Sequence, residues 1–189
     1  KEFGAETYMT SSAHASGTDR VSEVSDILNL KEEDLVVNLQ GDEPLIPAAV
    51  INQVSARLQA SPNFELSTLC EPISNLDEYQ DQNVVKVIMD SNGGALYFTR
   101  SAIPVEGNKN SISEISDSIY RHLGIYAYRV GFLRQFTSWP QAPIEKFERL
   151  EQLRALYHGA RIHVSRACEH VPPGVDTESD LLSIRELLG

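Results

Sequence analysis

The sequence has few residues that could form cross-links and lacks long apolar segments that could anchor it in a membrane. Its two cysteines, Cys70 and Cys168, are far apart and show no CxxC or Cys/His spacing, so neither a disulfide framework nor a zinc site is expected. No apolar run approaches the ~20 residues that span a bilayer, and the first residues lack signal-peptide character. We therefore expect a soluble, cytoplasmic protein with no membrane partner.

Positive charge is also scarce. The chain has 16 Lys and Arg against 27 Asp and Glu, a net charge of −11, and no cluster of basic and aromatic residues. A nucleic-acid partner is therefore not expected. With 189 residues, 41% of them apolar, the chain is long enough to form one hydrophobic core without disulfides or metal ions. We predict one domain over residues 1–189.

Strand and helix patterns alternate in the first half of the chain. Strands are predicted at 6–10, 35–39 and 65–71, with helices starting near Thr18 and at Pro47. The continuous apolar run at 35–39 is typical of a strand covered on both faces, as in a parallel sheet. The first helix is expected to bury Val21, Val24, Ile27 and Leu28. This alternation predicts an α/β fold.

The second half begins differently. Strands at 84–89 and 95–99 flank Asp90-Ser91-Asn92-Gly93-Gly94, which predicts an antiparallel hairpin. Residues 108–118 are polar and lack periodicity, so they are predicted to form a surface excursion that could act as a lid.

Further strands are predicted at 120–128 and 161–165, with a short helix around Phe132 between them. A longer helix is predicted at 143–157, between the short helix and the strand at 161–165, and it ends at Gly159. Its predicted inward residues are Ile144, Phe147, Leu150, Leu153 and Leu156. Thr177 is expected to cap a last helix.

Two aspartates are candidate magnesium ligands. Asp42 lies in the turn Gln40-Gly41-Asp42-Glu43-Pro44, at the carboxyl end of a predicted strand, where ligands of α/β sheets bind. Asp176 lies at a loop-to-helix junction, and Mg²⁺ takes only one or two protein carboxylates beside substrate phosphates. The alternatives are a turn capped by Asp42 and a helix capped by Asp176.

Other polar groups offer donors and acceptors to a ligand. The helix start Ser16-Gly17-Thr18-Asp19-Arg20 suits an anion or a base edge, although taken alone it is better explained by ordinary capping. Arg100 and the pair Arg121-His122 could donate to a sugar carboxylate, or they could be a surface arginine and a satisfied strand histidine. Glu148 and Glu151 are expected to share a helix face, with Glu151-Gln152 receiving sugar hydroxyls unless these are solvated charges.

Six motifs occur in one order along the chain. They are Ser16-Gly17-Thr18-Asp19-Arg20, Gln40-Gly41-Asp42-Glu43-Pro44, Ala95-Leu96-Tyr97-Phe98-Thr99-Arg100, His122-Leu123-Gly124-Ile125-Tyr126, Leu150-Glu151-Gln152-Leu153-Arg154 and Val175-Asp176-Thr177. In this combination the sequence resembles the 3-deoxy-manno-octulosonate (Kdo) cytidylyltransferases, also called CMP-Kdo synthetases.

The resemblance implies a Rossmann-like α/β nucleotidyltransferase sheet of the spore-coat-polysaccharide-synthesis type, with a smaller antiparallel part for sugar binding and dimerisation. It implies transfer of CMP from CTP to Kdo for lipopolysaccharide biosynthesis, by a homodimer. Asp42 and Asp176 would bind Mg²⁺ and serve catalysis. The implied nucleotide-binding residues are Ser16, Gly17, Thr18, Arg20, Gln40 and Gly41. The implied sugar-binding residues are Arg100, His122, Tyr126, Glu151 and Gln152.

The beginning of the chain departs from the family pattern. Family members start with a strand and a basic, glycine-containing loop that grips the triphosphate, and we expect this strand and loop to be absent upstream of Lys1. Two alternatives to the main prediction stay open. One is a cytidylyltransferase for another acidic sugar, such as 8-amino-Kdo or a sialic acid, and the other is an inactive, dimerising, ligand-binding fragment.

Overall fold

A mixed β-sheet forms the centre of the molecule in a computed structural model that describes residues 4–103, 119–172, 174–175 and 178–188. The strands are β1 (Leu35–Asn38), β2 (Leu66–Pro72), β3 (Lys86–Met89), β4 (Ala95–Thr99), β5 (Ile119–Arg129) and β6 (Ile162–Arg166). The helices are α1 (Gly17–Ile27), α2 (Ala48–Ala60), α3 (Leu76–Gln80), α4 (Val130–Ser138), α5 (Pro143–Glu148), α6 (Gln152–Tyr157) and α7 (Glu178–Leu188).

The long strand β5 organises the sheet. The strand order is β4-β3-β5-β2-β6, and β1 also pairs with β5. Strands β1, β2 and β3 all run antiparallel to β5, whereas β2 and β6 pair in parallel. The α/β class is therefore confirmed. The expectation for β1 was wrong, since this strand is half-buried and pairs antiparallel to β5.

Two hydrophobic clusters form the main core. One contains Leu66 and Cys70 of β2 together with residues of α4 and α6, and the other contains Leu69 with residues of α2. Alternate residues of a strand point to opposite faces, so the clusters cover the two faces of the sheet. Burial of this kind is the main stabilising contribution to the fold.

The predicted hairpin is confirmed. Strands β3 and β4 pair antiparallel, and the connection reverses at Gly93, whose φ of +78° lies in the region that favours glycine. The backbone N–H of Gly94 donates to Oδ1 of Asp90 at 2.8 Å, which closes the turn.

The predicted strand at 6–10 is wrong. These residues form no regular element, and the side chains of Tyr8 and Met9 are 37% and 95% exposed. Within the described residues, no neighbouring strand pairs with them. A β-propensity pattern without a pairing partner does not form a strand.

The predicted buried stripe of α1 is also partly wrong. Ile27 and Leu28 are exposed, and the buried side chains of the helix are Thr18, Ser22 and Ser25. The hydroxyl of Ser25 donates to the carbonyl of Ser22 at 2.7 Å. Small hydroxyl side chains satisfied in this way let α1 lie against α4, which overrides the apolar pattern.

The single helix predicted at 143–157 is two helices. Arg149, between α5 and α6, adopts left-handed backbone angles of φ 56° and ψ 44°. This break turns Phe147 outward, so that it is 85% exposed rather than buried. The predicted excursion at 108–118 lies outside the described residues, as do Asp176 and Thr177. In the described part of the chain, no helix is long and apolar enough to cross a membrane.

Candidate active site

A cavity of about 800 Å³ opens where β5 meets the α5–α6 junction. Its walls come from both ends of the sequence, because β5 is central and the loop after β6 folds back beside it. All five residues predicted to bind the sugar line this cavity: Arg100, His122, Tyr126, Glu151 and Gln152.

A second cavity of about 520 Å³ adjoins the first. Of the residues predicted to bind nucleotide or metal, those lining it are Gly17, Thr18, Gln40, Gly41 and Asp42. Thr18, Asn38, Gln40 and Glu151 line both cavities. The two predicted half-sites are therefore neighbours, and we call them the sugar cavity and the nucleotide cavity.

The Asp42 side chain is free for a ligand. It is exposed and forms no hydrogen bond or ion pair within the described residues. Its backbone carbonyl accepts from the N–H of Val175 at 2.8 Å. Gly174 approaches so closely that an added Cβ would lie 3.0 Å from that same carbonyl oxygen, so a larger residue here would have to push the Asp42 turn away.

Two predicted nucleotide residues are engaged within the protein. Ser16 caps α1, because its hydroxyl accepts from the N–H of Asp19 at 3.2 Å. The guanidinium of Arg20 donates to the hydroxyl of Thr10 and to the carbonyl of Ser11, at 2.7 and 3.0 Å. The capping interpretation therefore applies to Ser16, while contacts of Ser16 and Arg20 with a nucleotide stay predictions.

Arg100 is held at the edge of the sugar cavity by Glu148. Its backbone N–H donates to the Glu148 carboxylate at 3.0 Å, and its Nε donates to the Glu148 carbonyl at 3.2 Å. The same carboxylate accepts from the hydroxyl of Thr99 at 2.8 Å. Glu148 and Glu151 therefore do not share one face as expected, because the break at Arg149 separates them.

Lys86 supports the same wall from behind. The side chain is fully buried, and its ammonium donates to the carbonyls of Asp81, Val84 and Arg100. Burial lowers the pKa of Lys86 below its usual value. Two segments of the cavity wall, the loop of Asp81 and Val84 and the end of β4 at Arg100, therefore converge on one buried ammonium, whose three donors are all used.

His122 and Tyr126 project from β5 into a packed aromatic wall. The His122 ring lies 5.0 Å from the ring of Phe98 and 5.4 Å from that of Tyr126, centroid to centroid. Burial lowers the pKa of His122 to about 3 and raises that of Tyr126 well above its usual value. The Tyr126 hydroxyl is buried and lacks a hydrogen-bond partner within the described residues.

Glu151 links the two cavities. Its Oε2 accepts from the hydroxyl of Thr18 at 2.8 Å. Its buried Oε1 has no hydrogen-bond partner in the described part of the chain, although a guanidinium nitrogen of Arg154 lies 3.6 Å away. Buried polar atoms without a partner are rare, and both this oxygen and the Tyr126 hydroxyl belong to residues that line the sugar cavity.

The cavity is lined by arginines as well as by carboxylates, which are those of Glu43, Asp77, Glu78, Asp81 and Glu151. Three arginines line it, and Arg121 is paired with Glu71 and Glu78. In the residues that the structure describes, the guanidinium groups of Arg100 and Arg149 form no ion pair. Such groups favour an anionic ligand at this place.

Sequence reasoning missed several residues that build the site. Lys86, Thr68 and the Arg149 turn were not identified, although Lys86 and Thr68 are polar residues inside apolar strands. A polar residue in an otherwise apolar strand must find a partner, and this signal would have drawn attention to both.

Comparison with known proteins decides the family. The cytidylyltransferase family model matches residues 1–162. The 3-deoxy-manno-octulosonate cytidylyltransferase of Cellvibrio japonicus is 50% identical over 191 residues, which cover 98% of this chain and 75% of the relative. The chain belongs to the 3-deoxy-manno-octulosonate cytidylyltransferase family. A relative of the same name from Acinetobacter baumannii is 47% identical over 180 residues, 94% of this chain and 71% of its own length.

Solved structures agree with this family. A CMP:2-keto-3-deoxy-manno-octonic acid synthetase complexed with CTP superposes with a TM-score of 0.86 at 36% identity, covering 99% of this chain and 73% of that one. A 4-diphosphocytidyl-2C-methyl-D-erythritol synthase shares the fold alone, with a TM-score of 0.51 at 10% identity over 91% of this chain and 65% of its own. The predicted nucleotidyltransferase fold and family are thus confirmed.

Proposed function

We propose that this protein transfers CMP from CTP to the anomeric hydroxyl of Kdo, releasing pyrophosphate and giving CMP-Kdo for lipopolysaccharide biosynthesis. Family membership supports the cytidylyltransferase chemistry, and the names of the relatives support the sugar. The observation that carries the proposal is the placement of all five predicted sugar residues around one cavity, next to the cavity lined by Gly17, Gly41 and Asp42.

The proposal assigns a metal ion to the Asp42 turn. An exposed carboxylate with no partner within the described residues is a suitable ligand for Mg²⁺, which keeps several waters and shares substrate phosphates. The hydrogen bond between Asp42 and Val175 supports a second ligand from Asp176, the next residue in the sequence. When bound, the ion would neutralise charge on the phosphates.

The residues of the chain would then contribute mainly by positioning. The sugar cavity would orient Kdo, with the uncompensated guanidinium of Arg100 suited to its carboxylate. The anomeric oxygen would form a bond to the α-phosphorus as the bond to pyrophosphate breaks, and the hydroxyl proton would pass to solvent water. His122 is a poor proton acceptor because burial lowers its pKa to about 3, so we do not assign it the role of general base.

Turnover assays test this proposal. Purified protein is incubated with CTP, Mg²⁺ and Kdo, pyrophosphate release is followed, and the sugar nucleotide is identified by mass spectrometry. Kdo should be the preferred acceptor over 8-amino-Kdo and a sialic acid. A preference for one of these other acceptors would show that Kdo is not the main substrate. Binding of CTP and Kdo by calorimetry without pyrophosphate release would instead favour the ligand-binding alternative.

We also propose the homodimer that the family resemblance implies. Strand β4 lies at one edge of the sheet and carries Leu96, which is 60% exposed, and an edge of this kind can pair with or be covered by a second copy. Light scattering coupled to size exclusion measures the mass directly. A monomeric mass at micromolar concentration would contradict the proposal.

A further inference from the structure

Strand β5 is bulged beside the sugar cavity. Thr68 of β2 pairs with Tyr126, whereas the next residue, Leu69, pairs with Leu123. Two residues of β5 therefore lie between successive pairing partners on β2. Such bulges interrupt the ladder of backbone hydrogen bonds and redirect side chains. This one occurs in the segment of β5 between His122 and Tyr126, which line the cavity.

A single buried hydroxyl fills the bulge. Oγ1 of Thr68 lies 2.8 Å from the carbonyl oxygen of Ile125, 3.1 Å from that of Leu123 and 3.0 Å from Nε2 of His122. Thr68 is 0% exposed. A hydroxyl has one proton to donate and two lone pairs to accept with, so the three contacts cannot all receive its proton.

The protons in this cluster can be assigned from the types of atom involved. Two oxygens at 2.8 Å need a hydrogen between them, and a carbonyl cannot supply one. The hydroxyl of Thr68 must therefore donate towards the backbone carbonyls. The contact of 3.0 Å with His122 then also needs a hydrogen, which only Nε2 of His122 can provide.

The second ring nitrogen of His122 follows from this assignment. The imidazole is partly buried, packs against the rings of Phe98 and Tyr126 and is neutral near pH 7. A neutral imidazole with a proton on Nε2 carries a lone pair on Nδ1. Nδ1 has no hydrogen-bond partner within the described residues, and His122 lines the cavity.

We propose that Thr68 is a positioning residue that holds His122 in the Nε2-protonated tautomer, so that Nδ1 accepts a hydrogen bond from a sugar hydroxyl. A lone pair repels a carboxylate, so the acidic group of the sugar must bind elsewhere, on the side of Arg100. The tautomer thereby orients the sugar within the cavity. The choice of sugar rests on the proposed function, whereas the tautomer assignment does not.

Nitrogen NMR tests the tautomer in the free protein. The protein is labelled with ¹⁵N-histidine, and the His122 signals are identified by their loss in His122→Gln. At pH 7.5 we expect the shift of a protonated nitrogen at Nε2 and of an unprotonated nitrogen at Nδ1. A proton on Nδ1, or on both nitrogens, would overturn the proposal whether or not the protein turns over Kdo.

Kinetics of two Thr68 variants test the positioning role. Thr68→Val removes the hydroxyl at nearly constant volume, and we expect the KM for Kdo to rise about tenfold with little change in the KM for CTP. Thr68→Ser keeps the hydroxyl and should restore both the KM and the tautomer. An unchanged KM for Kdo and an unchanged tautomer in Thr68→Val would overturn the proposal.

Ser67→Ala is the matched control. Ser67 is the next residue on β2 and is also fully buried, and its hydroxyl donates to the carbonyl of Val54 in α2, on the other face of the sheet, at 2.7 Å. We expect this variant to lose stability while keeping the KM for Kdo. An equal rise of this KM in Ser67→Ala would show a general loss of packing and contradict the proposal. Should Thr68→Val not fold, the NMR measurement on the unsubstituted protein still decides.

Discussion

The walls of the two cavities are held in different ways. In the sugar cavity, Arg100 is fixed through Glu148 and Lys86, and His122 packs between aromatic rings on a central strand. In the nucleotide cavity, the turn of Gln40, Gly41 and Asp42 is exposed. Contacts buried from water constrain side chains far more than exposed ones do.

Because of this difference, we expect substitutions in the two cavities to have different effects. The sugar cavity is preorganised, so its residues lose little conformational freedom when a sugar binds. The exposed turn at Asp42 depends for its order on the contact with Val175 and on whatever ligand it binds. Substitutions in the first region should therefore change stability and sugar affinity together, whereas substitutions in the second should change turnover alone.

The largest expected effect is at Asp42. We expect Asp42→Asn to lower turnover roughly 100-fold or more at limiting Mg²⁺, because a metal ligand contributes several kcal/mol to the transition state. Its unfolding free energy should stay within about 0.5 kcal/mol, since the side chain is exposed and unpaired within the described residues. Glu33→Gln, another exposed carboxylate, is the control. Full turnover of Asp42→Asn would remove the metal role of this residue.

Lys86 tests the prediction that substitutions around the sugar cavity change stability and sugar affinity together. We expect Lys86→Met to lower the unfolding free energy by about 3 kcal/mol, because three buried carbonyls lose their donor. The KM for Kdo should rise about tenfold, since one of these carbonyls belongs to Arg100. Urea denaturation and steady-state kinetics measure the two effects.

Val87→Ala is the control for Lys86→Met, because Val87 is a fully buried neighbour on the same strand. It should lose stability with an unchanged KM for Kdo. If Lys86→Met behaved in the same way, the buried ammonium would support the fold without supporting the site.

Acid should weaken the sugar cavity through His122. The unfolded chain takes up a proton on this residue below about pH 6.5, whereas the folded protein does not until about pH 3. Stability present above pH 6.5 is therefore lost as the pH falls through this window. Between pH 7.5 and 5.0, the wild type should lose about 2 kcal/mol more unfolding free energy than His122→Gln. Parallel losses in urea denaturation of the two proteins would show that burial does not suppress protonation of His122.

Sequence patterns predicted the parts of this molecule that local chemistry determines. The β3–β4 hairpin follows from its Asn92-Gly93 pair, and α2 follows from its apolar stripe after Pro47. Backbone geometry and periodicity are sufficient for these two predictions. The five residues that the family resemblance implies for sugar binding line one cavity, because two of them lie on β5 and the others on segments beside it.

Other features depend on contacts that no local pattern contains. The hydroxyl of Thr68 contacts groups at a bulge in β5, a strand more than fifty residues away in the sequence. The buried face of α1 is set by the close approach of α4, and the ammonium of Lys86 is placed by three carbonyls from two segments. Tertiary contacts of this kind override the propensity of single segments.

The smallest expected effect is at Arg149, which has strained backbone angles and also lines the sugar cavity. Its left-handed backbone angles cost of order 1 kcal/mol for a residue with a side chain, so Arg149→Gly should gain up to about 1 kcal/mol of unfolding free energy. The same change removes a cavity cation that has no ion-pair partner among the described residues, and the KM for an anionic substrate should rise about threefold.

Asn29→Gly is the matched control for Arg149→Gly. Asn29 has a positive φ of 52° and follows the end of α1, and it does not line either cavity. Asparagine tolerates these angles better than arginine does, so this variant should gain less stability in urea denaturation, and its kinetics should stay unchanged. If Arg149→Gly raised stability without raising the KM of either substrate, the arginine would serve the turn alone, and Arg100 would remain as the candidate partner of an anionic substrate group.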